Sequence, residues 1–151
     1  MRPRCIAFER GHRRGSTDLR AALWLGPILS LCGCGFAYDE HLVGAYREVA
    51  VDSLDQMAIG VGIPVDRSVE IVIPATVFAI GNDAKFIIAM QHPSQDQGRG
   101  ELNRSVTNYW IVRVDDGVVF GPLTEASFKM QRLQLGVSVD LGFSRVHEDL
   151  R

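Results

Sequence analysis

Two strand-length apolar runs with almost nothing between them set the strongest limit on what this chain can become. Thr76-Val77-Phe78-Ala79-Ile80 and Lys85-Phe86-Ile87-Ile88-Ala89-Met90 are rich in β-branched and aromatic residues, and Gly81-Asn82-Asp83 stands between them. Such side chains suit a pleated sheet, and Gly, Asn and Asp tolerate the positive φ that a tight reversal demands. The pair predicts a β-hairpin across residues 76–91. Asp116-Gly117 predicts a second hairpin, between residues 107–114 and 118–120. Earlier strand signals occupy residues 42–51 and 69–73, the latter closed by Pro74, which marks an edge, a bulge or a break.

From Pro93 to Ser105 Leu102 is the lone large apolar residue, so this stretch is expected to be a solvated loop. Gly121-Pro122 then ends the meander and a helix is expected to open. Thr124 is a good N-cap, Glu125 suits the positive end of the helix dipole, and Leu123 with Phe128 makes a hydrophobic staple. Ala126, Met130 and Leu133 recur at i, i+4 and i+7, flanked by Phe128 and Leu135, and Gly136 supplies the stop. That stripe is expected to bury against the sheet. The fold class is therefore α+β: an antiparallel β meander of about four to six strands packed against one C-terminal α-helix. The tail, residues 137–151, is expected to add a short strand and then fray.

Charge divides the 151 residues unevenly. Residues 1–33 carry six Arg against Glu9 and Asp18, a net of +4, whereas residues 34–151 hold ten Lys and Arg against sixteen Asp and Glu, a net of −6. The Arg-rich start runs into eleven apolar or small residues, Ala21 to Leu31. That is short of the roughly 20 needed to cross a bilayer as a helix, but it suits the apolar region of a signal peptide. Leu31-Cys32-Gly33-Cys34 closes it. This tetrapeptide resembles the bacterial lipobox, with Leu31 as the aliphatic residue, Gly33 as the small one and Cys34 as the lipidated residue. Cys32 does not fit that last role, because Leu31 before it is too large. The alternative, a buried helix with Cys5, Cys32 and Cys34 as ordinary thiols, is interrupted by Gly26-Pro27. A metal-binding Cys-Gly-Cys pair is incompatible with cleavage before Cys34. Twin-arginine export at Arg13-Arg14 is disfavoured by the polar residues that follow. The expected organisation is a cleaved leader at 1–33, a lipid-anchored tether at 34–41, an α+β domain at 42–136 and the tail at 137–151. After cleavage Cys34 is the one cysteine left, so the 118-residue remainder must be held by its core rather than by disulfides.

The mature region shows a further likeness. Gly81-x-Asp83, Phe86-Ile87-Ile88-Ala89 with Gln91-His92-Pro93, the aromatic strand Tyr109-Trp110-Ile111-Val112, and Gly121-Pro122-Leu123-Thr124 followed by Phe128 resemble a family of small bacterial lipoproteins of uncharacterised function, over roughly residues 40–136. The resemblance implies export and a small sheet with a C-terminal helix, and brings no catalytic residue with it. With Cys34 acylated, two or three chains would make a stable anchor. Gly35 replaces the Asp that retains lipoproteins in the inner membrane of enteric bacteria, which points to the periplasmic side of the outer membrane.

Candidate chemistry is sparse. His41, His92 and His147 are far apart, with neither a His-Glu-x-x-His zinc pair nor a Gly-x-Ser-x-Gly elbow. Gly60-Val61-Gly62 is half a dinucleotide fingerprint, but Val65 stands where the third glycine belongs, so a turn between strands is expected. Asp52 and Asp55 could form a carboxylate pair, and read better as a turn or helix cap. Asp115 and Asp116 read as turn residues. His92 could ligate a metal or serve as a base, against the plainer role of a strand terminus. Tyr109 and Trp110 face opposite sides of a strand, so one packs under the helix and the other is free to meet a partner. Tyr109, Trp110 and His92 are thus the candidate partner contacts. No metal, no cofactor and no catalytic residue is expected. Net charge of −6 disfavours nucleic acid. The sequence predicts a non-catalytic, lipid-anchored envelope protein that contacts the membrane through its anchor and binds another envelope component. The alternatives are an inhibitor or immunity protein, steered by its acidic charge to a basic cell-wall hydrolase or toxin, and a hydrolase or sugar binder of the cell wall.

Overall fold

The computed structural model describes residues 36–65, 68–94 and 100–151. Leu31, Cys32, Gly33 and Cys34 lie outside the described residues, as does the middle of the expected 93–105 loop. The fold is α+β, with two antiparallel sheets and one C-terminal α-helix.

Sheet A contains β1 (Tyr38–Val43), β2 (Tyr46–Ala50), β3 (Ala58–Ile63) and β4 (Ser68–Ile73), neighbours in chain order. The strand expected at 42–51 is split. Gly44 adopts φ 59 and reverses the chain, pairing Val43 with Tyr46, so that β1 begins already at Tyr38. Gly60-Val61-Gly62 lies within β3, not in a turn: the β3–β4 register shifts beside Gly60, where a Cβ would stand 2.3 Å from the Val69 side chain and 2.8 Å from the Glu70 carbonyl oxygen.

Sheet B contains β5 (Val77–Asn82), β6 (Phe86–Gln91), β7 (Asn108–Arg113), β8 (Val119–Leu123) and β9 (Arg145–Val146), in the order β8-β7-β6-β5-β9. Both expected hairpins form. Asp83 Oδ1 accepts from the backbone N–H groups of Lys85 (2.7 Å) and Phe86 (2.8 Å), and Gly117, at φ 73, donates to the Arg113 carbonyl at 3.0 Å. Successive side chains of a strand point to opposite faces, and β6 is apolar on both because both faces are covered. Ile87 and Ala89 join Val112 and Trp110 in a core shared with Tyr46, Ala50, Ile59 and Ile73 of sheet A. Phe86 and Ile88 join Ile111 in a second cluster beneath the helix.

The helix, α1, runs Glu125–Leu135. Thr124 Oγ1 accepts from Ser127 N–H at 3.2 Å, and Gly136 at φ 69 stops the helix, with Val137 N–H reaching back to the Arg132 carbonyl. The buried face differs from the expected one. Phe128 is 4% exposed, with Arg132 and Leu135 partly covered beside it, whereas Met130 and Leu133 are 63% and 77% exposed and Ala126 also faces solvent. The Phe128 ring docks on Tyr109 at 5.0 Å and Phe143 at 6.2 Å, with the Arg132 guanidinium 5.6 Å above it. Turning Phe128 inward gains ring contacts with Tyr109 and Phe143 that the Ala–Met–Leu stripe has no aromatic group to make. The tail adds the short strand β9, but it does not fray: Val137 and Leu141 fill the space under the helix, and Leu150 is buried in the central core.

Candidate functional site

A connected cluster of ionisable groups sits where β9 meets the inner face of sheet A. Alternation along β2 puts Tyr46, Glu48 and Ala50 on that face, so Glu48 points into the core and its side chain is fully buried. A carboxylate taken from water costs several kcal/mol unless cations and hydrogen bonds replace the solvent. Both oxygens are met. Arg145 Nη1 donates to Glu48 Oε2 at 2.6 Å and His147 Nε2 donates to Oε1 at 2.5 Å. Arg145 Nη2 also donates to Glu40 Oε1 at 2.5 Å, and the Tyr38 hydroxyl donates to Glu40 Oε2 at 2.6 Å. The Tyr38 ring meets His147 edge-on at 5.9 Å. Burial, reinforced by the bond to Glu40, pushes the Tyr38 phenol up to about 12.

These five residues occupy strands β1 and β2 and the C-terminal segment, with Glu48 and Arg145 separated by 97 positions. The backbone supports the same closure: β9 pairs with β5, and His147 N–H donates to the Phe78 carbonyl at 2.8 Å. The cluster acts as a clasp, fastening the C-terminal segment across the mouth between the sheets. Sequence reasoning named His147 only as an isolated histidine and missed Glu48, Arg145, Glu40 and Tyr38. The one local signal was a charged residue between Tyr46 and Ala50 on an inward-facing parity.

The other candidates are placed as follows. His92 is buried, its ring stacked on Phe78 at 4.3 Å with Nδ1 donating to the Val106 carbonyl at 2.7 Å. Trp110 is buried in the central core, and its indole N–H donates to Gln91 Oε1 at 3.2 Å. Tyr109 is the strand neighbour that packs under α1, and it keeps partial exposure. Of the three candidate partner contacts, His92 and Trp110 are therefore interior residues, because sheet B is covered on both faces.

Asp52 and Asp55 come together on the rim of a concavity of about 600 Å³, with Thr76, Leu102 and Arg104. The Arg104 guanidinium donates to the backbone carbonyls of Asp149 and Arg151, and the Thr76 hydroxyl donates to the Asp55 carbonyl. The segment is a loop with a single 3-10 turn, Leu54–Gln56, whose cap position is Ser53. Asp116 is a turn residue: Arg113 donates to both its oxygens, Val118 N–H donates to Oδ1, and the arginine holds its carboxyl down at about 2. Among the described residues, no group of three or more His, Cys, Asp or Glu is placed to hold a metal, and no helix is long and apolar enough to cross a membrane.

No curated protein and no solved structure matches the chain. Residues 46–147, which run from the inward-facing Tyr46 at the start of β2 to His147 of the clasp, match the model of a protein family of unknown function, DUF3997, and the chain belongs to that family.

Proposed function

We propose that this chain is a lipid-anchored protein of the bacterial cell envelope whose α+β domain serves as a non-catalytic binding or structural accessory. The observation that carries the reading is the tetrapeptide Leu31-Cys32-Gly33-Cys34 at the end of an Arg-led apolar run. The start of the fold supports it. Ala37, three residues after Cys34, already donates its N–H to the Val51 carbonyl at 3.1 Å and so is fastened to the fold. A chain spans at most about 3.6 Å per residue, so acyl groups on Cys34 would hold the domain within about 11 Å of its point of attachment. The accessory role is supported by the clasp, whose buried carboxylate has both oxygens engaged by the protein's own Arg145 and His147. Such pairing fastens the fold.

The test is fractionation with mass measurement. The wild-type protein is expected in the membrane fraction with the mass of residues 34–151 plus acyl chains, and Cys34→Ala is expected in the soluble fraction. An unmodified full-length mass, or unchanged fractionation of Cys34→Ala, refutes the anchoring.

A further inference from the structure

Sheet A has one face in the central core and one face turned away from sheet B, bordered at one end by the 3-10 turn that carries Gln56. This outer face carries Arg47 and Val49 on β2, with Val51 just past the end of that strand, Ala58, Gly60 and Gly62 on β3, and Val69 and Ile71 on β4, as the strand registers require; Val49 and Ala58 at its centre are themselves buried. Its middle is low, because Ala58, Gly60 and Gly62 have little or no side chain. Its apolar rim stands up: Phe36, Val51 and Ile71 are 40%, 50% and 47% exposed. Two shallow concavities lie on it, one of about 470 Å³ bordered by Phe36, Asp39, Arg47 and Val69, the other of about 170 Å³ bordered by Val51, Ala58, Ile71 and Pro74.

We propose that this face lies against the phospholipid surface to which the domain is tethered. The proposal rests on the anchoring of Cys34 argued above and adds an orientation to it. Three observations select a lipid surface. Phe36, two residues after Cys34 in sequence, lines the same concavity as Asp39 and Arg47, so the described chain enters the domain beside this face. Asp39 and Arg47 pair with each other at 2.6 Å, so the face presents a neutralised pair rather than a charge pattern that would seek a charged protein. The His41 ring is likewise turned onto the Gly44 carbonyl at 2.9 Å. Scattered apolar side chains on a neutral face next to an acyl anchor match the shallow insertion of interfacial segments into the headgroup boundary.

The far side of the domain supplies the control. Leu133 on α1 lies beyond both sheets, and layers of this kind are stacked roughly 10 Å apart. Ile71→Cys, Val51→Cys and Leu133→Cys would be introduced singly into the full chain. Each protein would be purified from membranes in its acylated form, labelled at the new thiol with an environment-sensitive fluorophore, and reconstituted into phosphatidylethanolamine/phosphatidylglycerol vesicles with brominated acyl chains. Labels at positions 71 and 51 are expected to lose most of their fluorescence, with the label at 133 unchanged. A vesicle-bound protein with no quenching at 71 and 51, or equal quenching at all three, overturns the orientation and leaves the anchor intact. A protein that does not sediment with vesicles overturns the anchor, and the orientation with it. A disulfide-linked dimer of unlabelled Ile71→Cys formed in preference to quenching assigns the face to a second copy of the chain and also overturns the proposal.

Discussion

Arg145→Ala removes the cation that faces a fully buried carboxylate. In the wild-type protein Arg145 spans Glu48 at 2.6 Å and Glu40 at 2.5 Å, with Glu48 fully buried and Glu40 half exposed. The Glu40 arm is a surface pair worth about 0–1 kcal/mol. The Glu48 arm is different, because breaking a buried pair leaves a charge with neither solvent nor partner, at a cost of about 3–5 kcal/mol. His147 still donates to Glu48 Oε1, which places the expected loss near the lower end, about 3 kcal/mol. At roughly 4 °C per kcal/mol for a domain of this size, Tm should fall by roughly 12 °C. Thermal and urea unfolding followed by circular dichroism would read it, with the urea slope unchanged if the native fold survives. The double variant Glu48→Met with Arg145→Met provides the counter-test, since an apolar replacement of a whole buried pair is often neutral or stabilising. A loss below about 1 kcal/mol for Arg145→Ala would refute the claim that the clasp compensates a desolvated charge.

The Tyr38 phenol, raised to about 12 from an ordinary value of 10, favours the folded state fully below pH 10, and that contribution is lost as pH rises through about 12. In an ultraviolet titration of the folded protein, Tyr38→Phe should abolish a late-titrating tyrosine; an unchanged titration curve would contradict this placement. Asp116, held at about 2, contributes stability above roughly pH 4 that disappears as pH falls through about 2, so Asp116→Asn should lower Tm at neutral pH and make no difference below that window. Phe128→Ala should cost about 3–5 kcal/mol, while Met130→Ser and Leu133→Ser should each stay within about 0.5 kcal/mol; comparable losses in the three variants would return the Ala126–Met130–Leu133 stripe to the core. Gly60→Ala should cost about 1–3 kcal/mol by overpacking, because the new methyl meets the Glu70 backbone as well as the movable Val69 side chain, and an unaffected Tm would argue against the register drawn for β3 and β4.

The legible parts of this fold were those decided by neighbours in sequence. The reversals at Asp83 and Gly117 and the helix ends at Thr124 and Gly136 each depend on a short-range backbone requirement that one residue type meets. What stayed hidden was decided by distant partners. Both faces of α1 offer large apolar side chains, and it is Tyr109 and Phe143 that choose Phe128 over Met130 and Leu133. Strand β3 was obscured by two glycines, poor strand formers in isolation, of which Gly60 is needed for close approach to β4. The clasp joins residues 97 to 105 positions apart, beyond any periodicity or spacing rule. His92 spends its ring on a backbone carbonyl and a phenylalanine, partners that leave no motif.

The long span of the clasp also sets a timetable. Ribosomes add roughly 5–20 residues per second, so a nascent chain displays Glu48 for roughly 5 to 20 seconds before Arg145, 97 residues later, has been made. Through that interval the carboxylate has water as its best partner, and drawing it between the sheets would strand its charge. Until the last strand is made, closing the sheets over Glu48 would leave its charge without Arg145, so the clasp can be completed only when the chain is nearly whole.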